Sequence, residues 1–327
     1  MSQTSLALAL SGITFLITVI WGTPFMRILH HYRLTTPAQH GSETPAAGPA
    51  ATLGGVLFLL PVTLLVLLMN FAALIGFTGL GASIFLPLSS MLAFAALGAW
   101  VDWRGVRRPA ASPRRLVLYL GIQLLLAAAT AWGLHNLLEV PDLYLPFYRG
   151  EVELGLWYLP VAALVILGMV NAVQSTEGVD GLPGLLAATA FVVFGGIAVI
   201  QDQIFIARFC FTLVGALLGF LWFNIKPAAL LMGRTGTYAL GATLAVLALM
   251  TGYWPLLMFI ALMPVLELSS FGLERAYALF NPGGQLLRAT PLHAHLMANG
   301  WSATQIVQRF WLINLLFATI GITLTVI

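Results

Sequence analysis

Residues 211–242, FTLVGALLGFLWFNIKPAALLMGRTGTYALGA, consist of two apolar runs and a short polar connection. A helix needs about 20 mostly apolar residues to cross the hydrocarbon core of a bilayer. The run that ends near Asn224 and the run that begins near Tyr238 both continue far enough to meet this requirement. The stretch therefore predicts two membrane-spanning helices joined by a loop, with the charge of Arg234 between two glycines where the second helix approaches.

The whole chain has the composition of an integral membrane protein. Of its 327 residues, 60% are hydrophobic and 8% are charged, and its mean hydropathy is +0.97, whereas soluble domains contain about 25% charged residues. The single cysteine, Cys210, excludes a disulfide framework and a cysteine-rich metal site. The pI of about 9.2 does not indicate nucleic-acid binding, because the arginines cluster in short loops as membrane topology requires.

Ten apolar segments are predicted to cross the membrane, which makes residues 1–327 a single all-α domain with ten transmembrane helices. The first segment lacks the basic start of a cleaved signal peptide, so we expect it to be retained. No internal repeat is visible, which disfavours an inverted-repeat transporter. The ten segments begin near Leu6, Ala51, Ser83, Leu116, Leu156, Leu182, Phe205, Tyr238, Trp254 and Gln305.

The basic residues are biased to one set of alternating loops. Loops rich in lysine and arginine face the cytoplasm in multi-pass proteins. We therefore expect a plasma (cell inner) membrane protein with both termini outside and five cytoplasmic loops, where a soluble, charged substrate can meet a membrane-bound one. Every lysine and arginine except Arg149 and Arg208 lies in or beside residues 30–55, 102–115, 175–181, 224–237 and 271–304.

Four polar residues near the end of the fifth span follow a regular spacing. Asn171, Gln174, Glu177 and Asp180 recur every three residues, so they share roughly one face if the helix continues that far. Polar groups that face the inside of a membrane bundle are functional by default, and a structural role is the alternative. We favour a functional role for this stripe.

Other polar residues in these loops fit a phosphate-bearing ligand. Gly54 and Gly55 at a helix start permit close backbone approach to a ligand, or close packing between helices. Asp102 is an acid at the membrane boundary, followed by an arginine cluster that includes Arg114. Such a cluster either holds phosphate groups or, as we favour for most of its arginines, anchors the helix ends at anionic lipid.

The last two cytoplasmic loops add further polar candidates. Asn224 and Lys226 are suited to a nucleotide or a phosphate. His293 and His295 are two residues apart, so on a helix they do not share a face. Either a loop brings both imidazoles to one ligand or only one of them acts. Two histidines are a weak signal for a metal, and contact with phosphate is the alternative.

Several motifs, taken together in this order, resemble one family over nearly the whole chain. The chain is similar to the polyprenyl-phosphate N-acetylhexosamine-1-phosphate transferases and, within them, to the MraY-type phospho-MurNAc-pentapeptide transferases. The motifs are FLWFN at 220–224, MGRTG at 232–236, PVLELSS at 264–270, PLHAHLMANGW at 291–301 and VQRFWLINLL at 307–316.

The resemblance implies a fold and a reaction. Its fold has ten spans with a long, broken ninth helix. Its reaction moves phospho-MurNAc-pentapeptide from UDP to undecaprenyl phosphate at the cytoplasmic face, requires Mg²⁺, and makes lipid I for peptidoglycan. The implied partners are a polyprenyl-phosphate lipid and a UDP-amino sugar, membrane lipids, and a second copy of the chain or the other subunits of a membrane complex.

The chain departs from the family pattern at several catalytic positions. Where the family has two adjacent aspartates at the end of the third span, this chain has Val101 and Asp102. In the family's N-x-x-D-G-x-D-G segment, Gln174 replaces the asparagine and Glu177 the first aspartate, whereas Asp180 is kept. The family's three-histidine run is reduced to two by Ala294, and residues 44–55 lack the expected lysine.

The largest departure is at Arg234, where the family's G-D-x-G-S motif has a magnesium-binding aspartate. Mg²⁺ prefers oxygen ligands, and arginine has no acceptor to offer. At an effective dielectric of about 20, a cation about 4 Å from a divalent ion is repelled by roughly 8 kcal/mol, twice the monovalent figure. We therefore expect no Mg²⁺ at this position, and Asp180 remains the one candidate ligand.

The resemblance, carried over residue by residue, assigns roles. Asp102, Asp180 and His293 are the candidate catalytic residues. Arg234 either binds a substrate phosphate in bidentate fashion or neutralises Asp102 and Asp180, and we favour the second. The candidate substrate-binding residues are Gly54, Gly55, Arg114, Asn171, Gln174, Glu177, Asn224, Lys226, Arg234 and His295.

These changes favour a catalytically impaired or inactive homologue, a pseudoenzyme of the family. An active, divergent transferase is the alternative, because phosphoryl transfer depends mainly on positioning and charge stabilisation. A second alternative is a structural or binding subunit of a membrane complex. An unrelated channel or carrier is disfavoured, because the predicted spans contain almost no charges to line a path.

Overall fold

The structure is a computed structural model that describes residues 3–32, 34–36, 50–71, 82–107, 113–138, 140, 143–145, 148, 150, 152–281 and 283–325. This part of the chain is almost entirely helical. A two-residue antiparallel ribbon joins β1 (Thr35–Thr36) to β2 (Ala50–Ala51), and short 3₁₀ turns at Gly155–Trp157 and Trp254–Leu256 precede two of the helices. The α-helices are α1 (Gln3–His31), α2 (Gly55–Met69), α3 (Ala82–Arg107), α4 (Pro113–Leu137), α5 (Tyr158–Ser175), α6 (Leu182–Ile200), α7 (Ile204–Asn224), α8 (Gly233–Met250), α9 (Leu257–Ile260), α10 (Leu262–Phe280), α11 (Leu292–Ala298) and α12 (Ala303–Thr323).

The helices confirm a multi-pass membrane protein. Among the described residues, seven helices are long and apolar enough to cross a bilayer, and a bent pair, α9 with α10, is a possible eighth span. The other two predicted segments correspond to α2, which has 15 residues, and to α8, which starts with the polar sequence GRTGT. Each predicted segment therefore falls on a helix, while the count of ten spans and the outside position of the termini stay predictions.

Helix α8 lies at the centre of the bundle, packed against α2, α3, α5 and α6. Of its 18 residues, Arg234 is the only one that is not buried. Small residues allow this close packing. Gly98 of α3 lies against the backbone carbonyl of Arg234, and Gly241 lies against the backbone of Met169 and Val170, so a side chain at either glycine would overlap main-chain atoms.

The ninth predicted span is broken, as the resemblance implied. The segment Trp254–Ile260 meets α10 at an angle of 89°. Such a break frees backbone groups that the bilayer interior cannot hydrogen-bond. The buried side chain of Asn314 on α12 satisfies two of them: it accepts a hydrogen bond from the Met263 N–H (3.1 Å) and donates one to the Ile260 carbonyl (3.1 Å).

The described parts of the five loops predicted to be cytoplasmic meet at one end of the bundle, which we call the site end. The segment that leads into α2 runs beside the connection between α7 and α8, where the N–H groups of Gly54 and Gly55 donate to the carbonyls of Leu231 and Met232 (both 2.9 Å). Residues of the other three loops contact the same region, as described next. The sequence prediction that these loops lie on the same side of the bundle therefore agrees with the contacts between them, while their cytoplasmic position stays a prediction.

Candidate functional site

The N-terminus of α8 holds the carboxylate of Asp102. The N–H groups of Arg234 (3.0 Å) and Thr235 (2.9 Å) and the hydroxyl of Thr235 (2.7 Å) all donate to its two oxygens. Unpaired N–H groups and the helix dipole make such a terminus an anion-binding site. Gly233 is required here because its φ is +69° and a side chain would lie against the Asp102 carboxylate. Asp102 therefore acts as an intramolecular cap on α8.

Glu177 is a second carboxylate at the same helix end. It lies in the turn between α5 and α6, partly buried, and the Gly233 N–H is directed at it. Burial of the carboxylate, with repulsion from Asp102, raises the pKa of Glu177 from its ordinary value of 4.5 to about 7. The positive charge of Arg234 and the Gly233 N–H oppose this shift. The turn thus holds an acid that titrates near neutral pH.

Arg234 acts on these acids through its backbone and its charge, and not through a close ion pair. Its N–H binds Asp102, and the guanidinium charge acts on both Asp102 and Glu177. Among the described residues, no ion pair within 4.0 Å joins the Arg234 guanidinium to a carboxylate. The arrangement is a positive charge beside two acids at the start of the central helix.

The turn between α5 and α6 is tied to the connection between α7 and α8. The buried side chain of Asn224 accepts a hydrogen bond from the Gly181 N–H (3.0 Å) and donates one to the Leu230 carbonyl (2.7 Å). Asp180 accepts a hydrogen bond from the Ala228 N–H (3.3 Å). The amide of Asn224 and the Asp180 carboxylate therefore already hold main-chain groups that shape the site end.

The site end contains a cavity of about 50 Å³, lined in part by Glu177, Asp180 and Met232. Pockets for nucleotide-sized ligands measure roughly 300–1,000 Å³, so this cavity fits only a small group and the remainder of such a ligand would lie across its mouth. A larger cavity of about 520 Å³ has Asp202 and Arg208 in its lining and contains none of the candidate residues. The polar residues favour the smaller one as the candidate site.

His293 and His295 have different surroundings. The buried side chain of Glu267 on α10 accepts a hydrogen bond from the His293 N–H (3.0 Å), and its other carboxyl oxygen lies 3.2 Å from Nδ1 of the same residue. The other ring nitrogen of His293 faces Gly178, in the turn that carries Glu177. The ring of His295 instead accepts a hydrogen bond from the Arg288 N–H (3.0 Å) within its own loop. His293 therefore contacts the turn that carries Glu177, whereas His295 is bonded within its own loop, and the roles of both at a ligand stay predictions.

The remaining predicted residues lie in the stripe at the end of α5, in α4 and in the connection that follows α7. Helix α5 ends at Ser175, so the helical stripe includes only Asn171 and Gln174, and the turn carries the other two members. Asn171 donates to Gln123 of α4 (2.9 Å) inside the bundle. Arg114 is exposed in the first turn of α4, and Lys226 is partly buried in the connection that follows α7. Their binding roles stay predictions.

The groups at the start of α8 differ from those that the resemblance implies for Mg²⁺, because Arg234 stands where an aspartate is expected. The Asp102 oxygens already accept three hydrogen bonds, and the positive charge of Arg234 acts on both nearby acids. Mg²⁺ is usually held by one or two carboxylates together with water and substrate phosphates, so the expected absence of Mg²⁺ at this position stays a prediction. No step of the proposed function below passes through a metal.

Sequence reasoning missed two residues that position the site. Glu267 is the only charged residue in the motif PVLELSS, and an acid in an apolar helix is itself a functional signal. Thr235 gives both its N–H and its hydroxyl to Asp102. A threonine at the start of a helix has no distinctive sequence pattern, and its partner Asp102 lies 133 residues earlier in the chain.

Comparison with known proteins gives a consistent result. Residues 84–252 match the model of the family described as glycosyl transferase family 4. Proteins named phospho-N-acetylmuramoyl-pentapeptide-transferase are similar over almost the full length. The relative from Chloroflexus aurantiacus is 33% identical (98% of this chain, 90% of the relative). That from Listeria monocytogenes serotype 4b is 32% identical (96% and 97%), and that from Pelagibacter ubique is 29% identical (94% and 89%). The chain therefore belongs to the phospho-N-acetylmuramoyl-pentapeptide-transferase family within glycosyl transferase family 4.

Proposed function

We propose that this chain is a catalytically impaired or inactive member of its family that keeps a binding site for phosphate-bearing substrates at the site end. The observation that carries the proposal is the set of hydrogen bonds and charges at the N-terminus of α8. Asp102 is engaged there by three hydrogen bonds, and Arg234 stands where the resemblance places the metal-binding aspartate. A cation held in place beside two acids removes the negative field that a divalent ion requires.

The same geometry supports binding. Arginine recognises phosphate through a planar, bidentate fork, and the Arg234 guanidinium is the one side chain of α8 that is not buried. Its charge either neutralises the two acids or, when a phosphate arrives, pairs with the phosphate. Of these alternatives, neutralisation is favoured by the electrostatic coupling of Arg234 to Asp102 and Glu177. Glu177 thus joins Asp102 as an acid beside Arg234, and the expected neutralisation of Asp180 stays a prediction.

The substrates and the setting follow from the family. The ligands proposed are a polyprenyl phosphate and a UDP-amino sugar, because the relatives carry the name phospho-N-acetylmuramoyl-pentapeptide-transferase. The site end faces the cytoplasm at the inner membrane, a placement supported by the arginines in its loops. An inactive chain of this kind would act as a binding or assembly subunit of a membrane complex, or as a homodimer.

Substrate binding with and without magnesium tests this proposal. The purified protein is titrated with UDP-MurNAc-pentapeptide, and separately with undecaprenyl phosphate, in Mg²⁺ and in EDTA. We expect binding with the same dissociation constant in both conditions. Binding that appears only with Mg²⁺ would contradict the proposal, and so would an absence of binding to both ligands.

An active, divergent transferase is the second candidate function. The observation in its favour is the Glu267–His293 pair, which keeps one imidazole nitrogen directed at the turn that carries Glu177. Positioning and charge stabilisation supply most of the catalysis in phosphoryl transfer. A metal-independent enzyme would release UMP in EDTA and would lose this activity in His293→Gln. No release above a protein-free control rejects this candidate.

A further inference from the structure

Glu267 is a fully buried acid in α10, the second half of the broken ninth span. A buried carboxylate is strongly disfavoured unless other groups pair with it. Its two oxygens are used by one residue: Oε1 accepts from the His293 N–H (3.0 Å) and Oε2 lies 3.2 Å from Nδ1 of the same histidine. Glu267 thus fixes both the backbone and the ring of His293.

This contact determines where the ring carries a proton. An ionised carboxylate only accepts hydrogen bonds, so an ionised Glu267 requires the proton of this contact to be on Nδ1 of His293. The other nitrogen, Nε2, faces Gly178, where a Cβ atom would lie 3.0 Å from it. Gly178 has a φ of +128°, so both backbone conformation and space favour glycine at this position. Nε2 of the buried ring therefore packs against the turn that bears Glu177, at a glycine that also lines the small cavity.

We propose that Glu267 is a positioning residue that holds the His293 ring with Nδ1 protonated and presents Nε2 to a phosphate oxygen of the bound ligand. The proposal rests on the proposed function, because it requires a phosphate-bearing ligand at the site end. The carboxylate behind the ring fixes its orientation and its tautomer, as acids behind histidines do in other sites.

His295 provides an internal reference for this assignment. The Arg288 N–H donates to Nδ1 of His295 (3.0 Å), so this nitrogen is an acceptor and carries no proton. Nε2 of His295 lies 3.0 Å from the Asn299 amide nitrogen, so the comparison between the two histidines rests on Nδ1, which is expected to carry a proton in His293 and none in His295. A role of Glu267 in packing alone would not produce this difference.

The first test reads the tautomers directly. The full chain with ¹⁵N-labelled histidine, purified in lipid nanodiscs without ligand, is measured by NMR, and signals are assigned with His293→Gln and His295→Gln. We expect a protonated Nδ1 in His293 and an unprotonated Nδ1 in His295. Glu267→Gln should change the His293 signals alone. A wild-type His293 with an unprotonated Nδ1, or unchanged His293 signals in Glu267→Gln, would overturn the proposal.

A matched control comes from the same helix. Glu274 of α10 also accepts a backbone hydrogen bond, from the Leu287 N–H (2.9 Å), and makes no contact with His293 among the described residues. Glu274→Gln should leave both sets of histidine signals unchanged. Glu267→Asp keeps the carboxylate, so its His293 should retain the protonated Nδ1. This second variant covers the possibility that the Gln variant does not fold, which its thermal unfolding will show.

The second test measures ligand binding. Undecaprenyl phosphate and UDP-MurNAc-pentapeptide form separate arms, with undecaprenol and uridine as phosphate-free controls. Glu267→Gln should weaken one or both phosphate arms at least about 10-fold, as expected for a hydrogen bond to a charged group, and should leave both controls unchanged. The arm that weakens identifies the source of the phosphate.

The outcomes separate this proposal from the proposed function. If the wild type binds the phosphate ligands and Glu267→Gln binds them equally well, the role of Glu267 is overturned while the proposed function stands. If the wild type binds neither ligand, both are overturned. If Glu274→Gln weakens binding as much as Glu267→Gln does, the effect is not specific to the histidine and the proposal fails.

Discussion

Arg234 takes part in the site through two separate parts of the residue. Its backbone N–H helps to hold Asp102, and any amino acid except proline could make that bond. Its guanidinium places a positive charge beside Asp102 and Glu177, which depends on the side chain alone. Substitution at this position therefore tests the charge without removing the backbone hydrogen bond.

Arg234→Asp should create magnesium affinity. The change removes a repulsion of roughly 8 kcal/mol at about 4 Å and an effective dielectric of about 20, and it adds an oxygen ligand. We expect Mg²⁺ binding by isothermal titration calorimetry in Arg234→Asp and none in the wild type. Arg234→Gln, which removes the charge without adding a carboxylate, serves as the control. If Arg234→Asp does not bind Mg²⁺, other ligands of the ancestral site are lost as well.

Glu177 should make stability depend on pH near neutrality. Its pKa is about 7 in the folded protein against an ordinary value of 4.5, so the folded state holds the proton more tightly. The stabilisation of the folded state by this bound proton is complete below about pH 4.5 and is lost as the pH rises through about 7. The wild type should therefore lose stability relative to Glu177→Gln as the pH rises from about 5 to about 8.

Thermal unfolding midpoints at several pH values measure this effect. Glu153→Gln, which removes an exposed acid from the other side of the membrane-spanning region in our prediction, controls for the loss of a carboxylate. Parallel pH profiles for the wild type and Glu177→Gln would contradict a raised pKa of Glu177.

At the scale of elements, the break between α9 and α10 depends on a side chain from α12. Asn314 bonds the Ile260 carbonyl and the Met263 N–H. Asn314→Leu keeps the volume and leaves two buried backbone groups unsatisfied, which costs about 2–4 kcal/mol in unfolding free energy. Denaturant unfolding in detergent micelles measures the loss.

An exposed asparagine offers a comparison for this prediction. Asn136 bonds only a carbonyl of its own helix, α4 (3.0 Å), so Asn136→Leu should change stability by less than about 0.5 kcal/mol. Equal losses in the two variants would mean that Asn314 does not hold the break together. The sequence motif predicted the break, but it could not predict Asn314, because the two segments are more than fifty residues apart.

At the scale of the whole molecule, the pattern of apolar segments predicted every major helix and the loops that meet at the site end. It did not predict that α8 would be surrounded by other helices. A helix shielded in this way does not need a lipid-facing surface. It can therefore begin with the polar residues GRTGT, and it is less apolar than the seven helices that could cross a bilayer. The family pattern likewise identified Asp102 and Arg234, while their arrangement depends on backbone groups that no motif records.

The central claim is that this chain does not carry out magnesium-dependent transfer. UMP release from UDP-MurNAc-pentapeptide, with undecaprenyl phosphate and Mg²⁺, tests this claim most directly, with the Listeria monocytogenes relative assayed in parallel. The account predicts release no faster than in a protein-free control, with and without Mg²⁺. Magnesium-dependent release at a rate similar to that of the relative would contradict it.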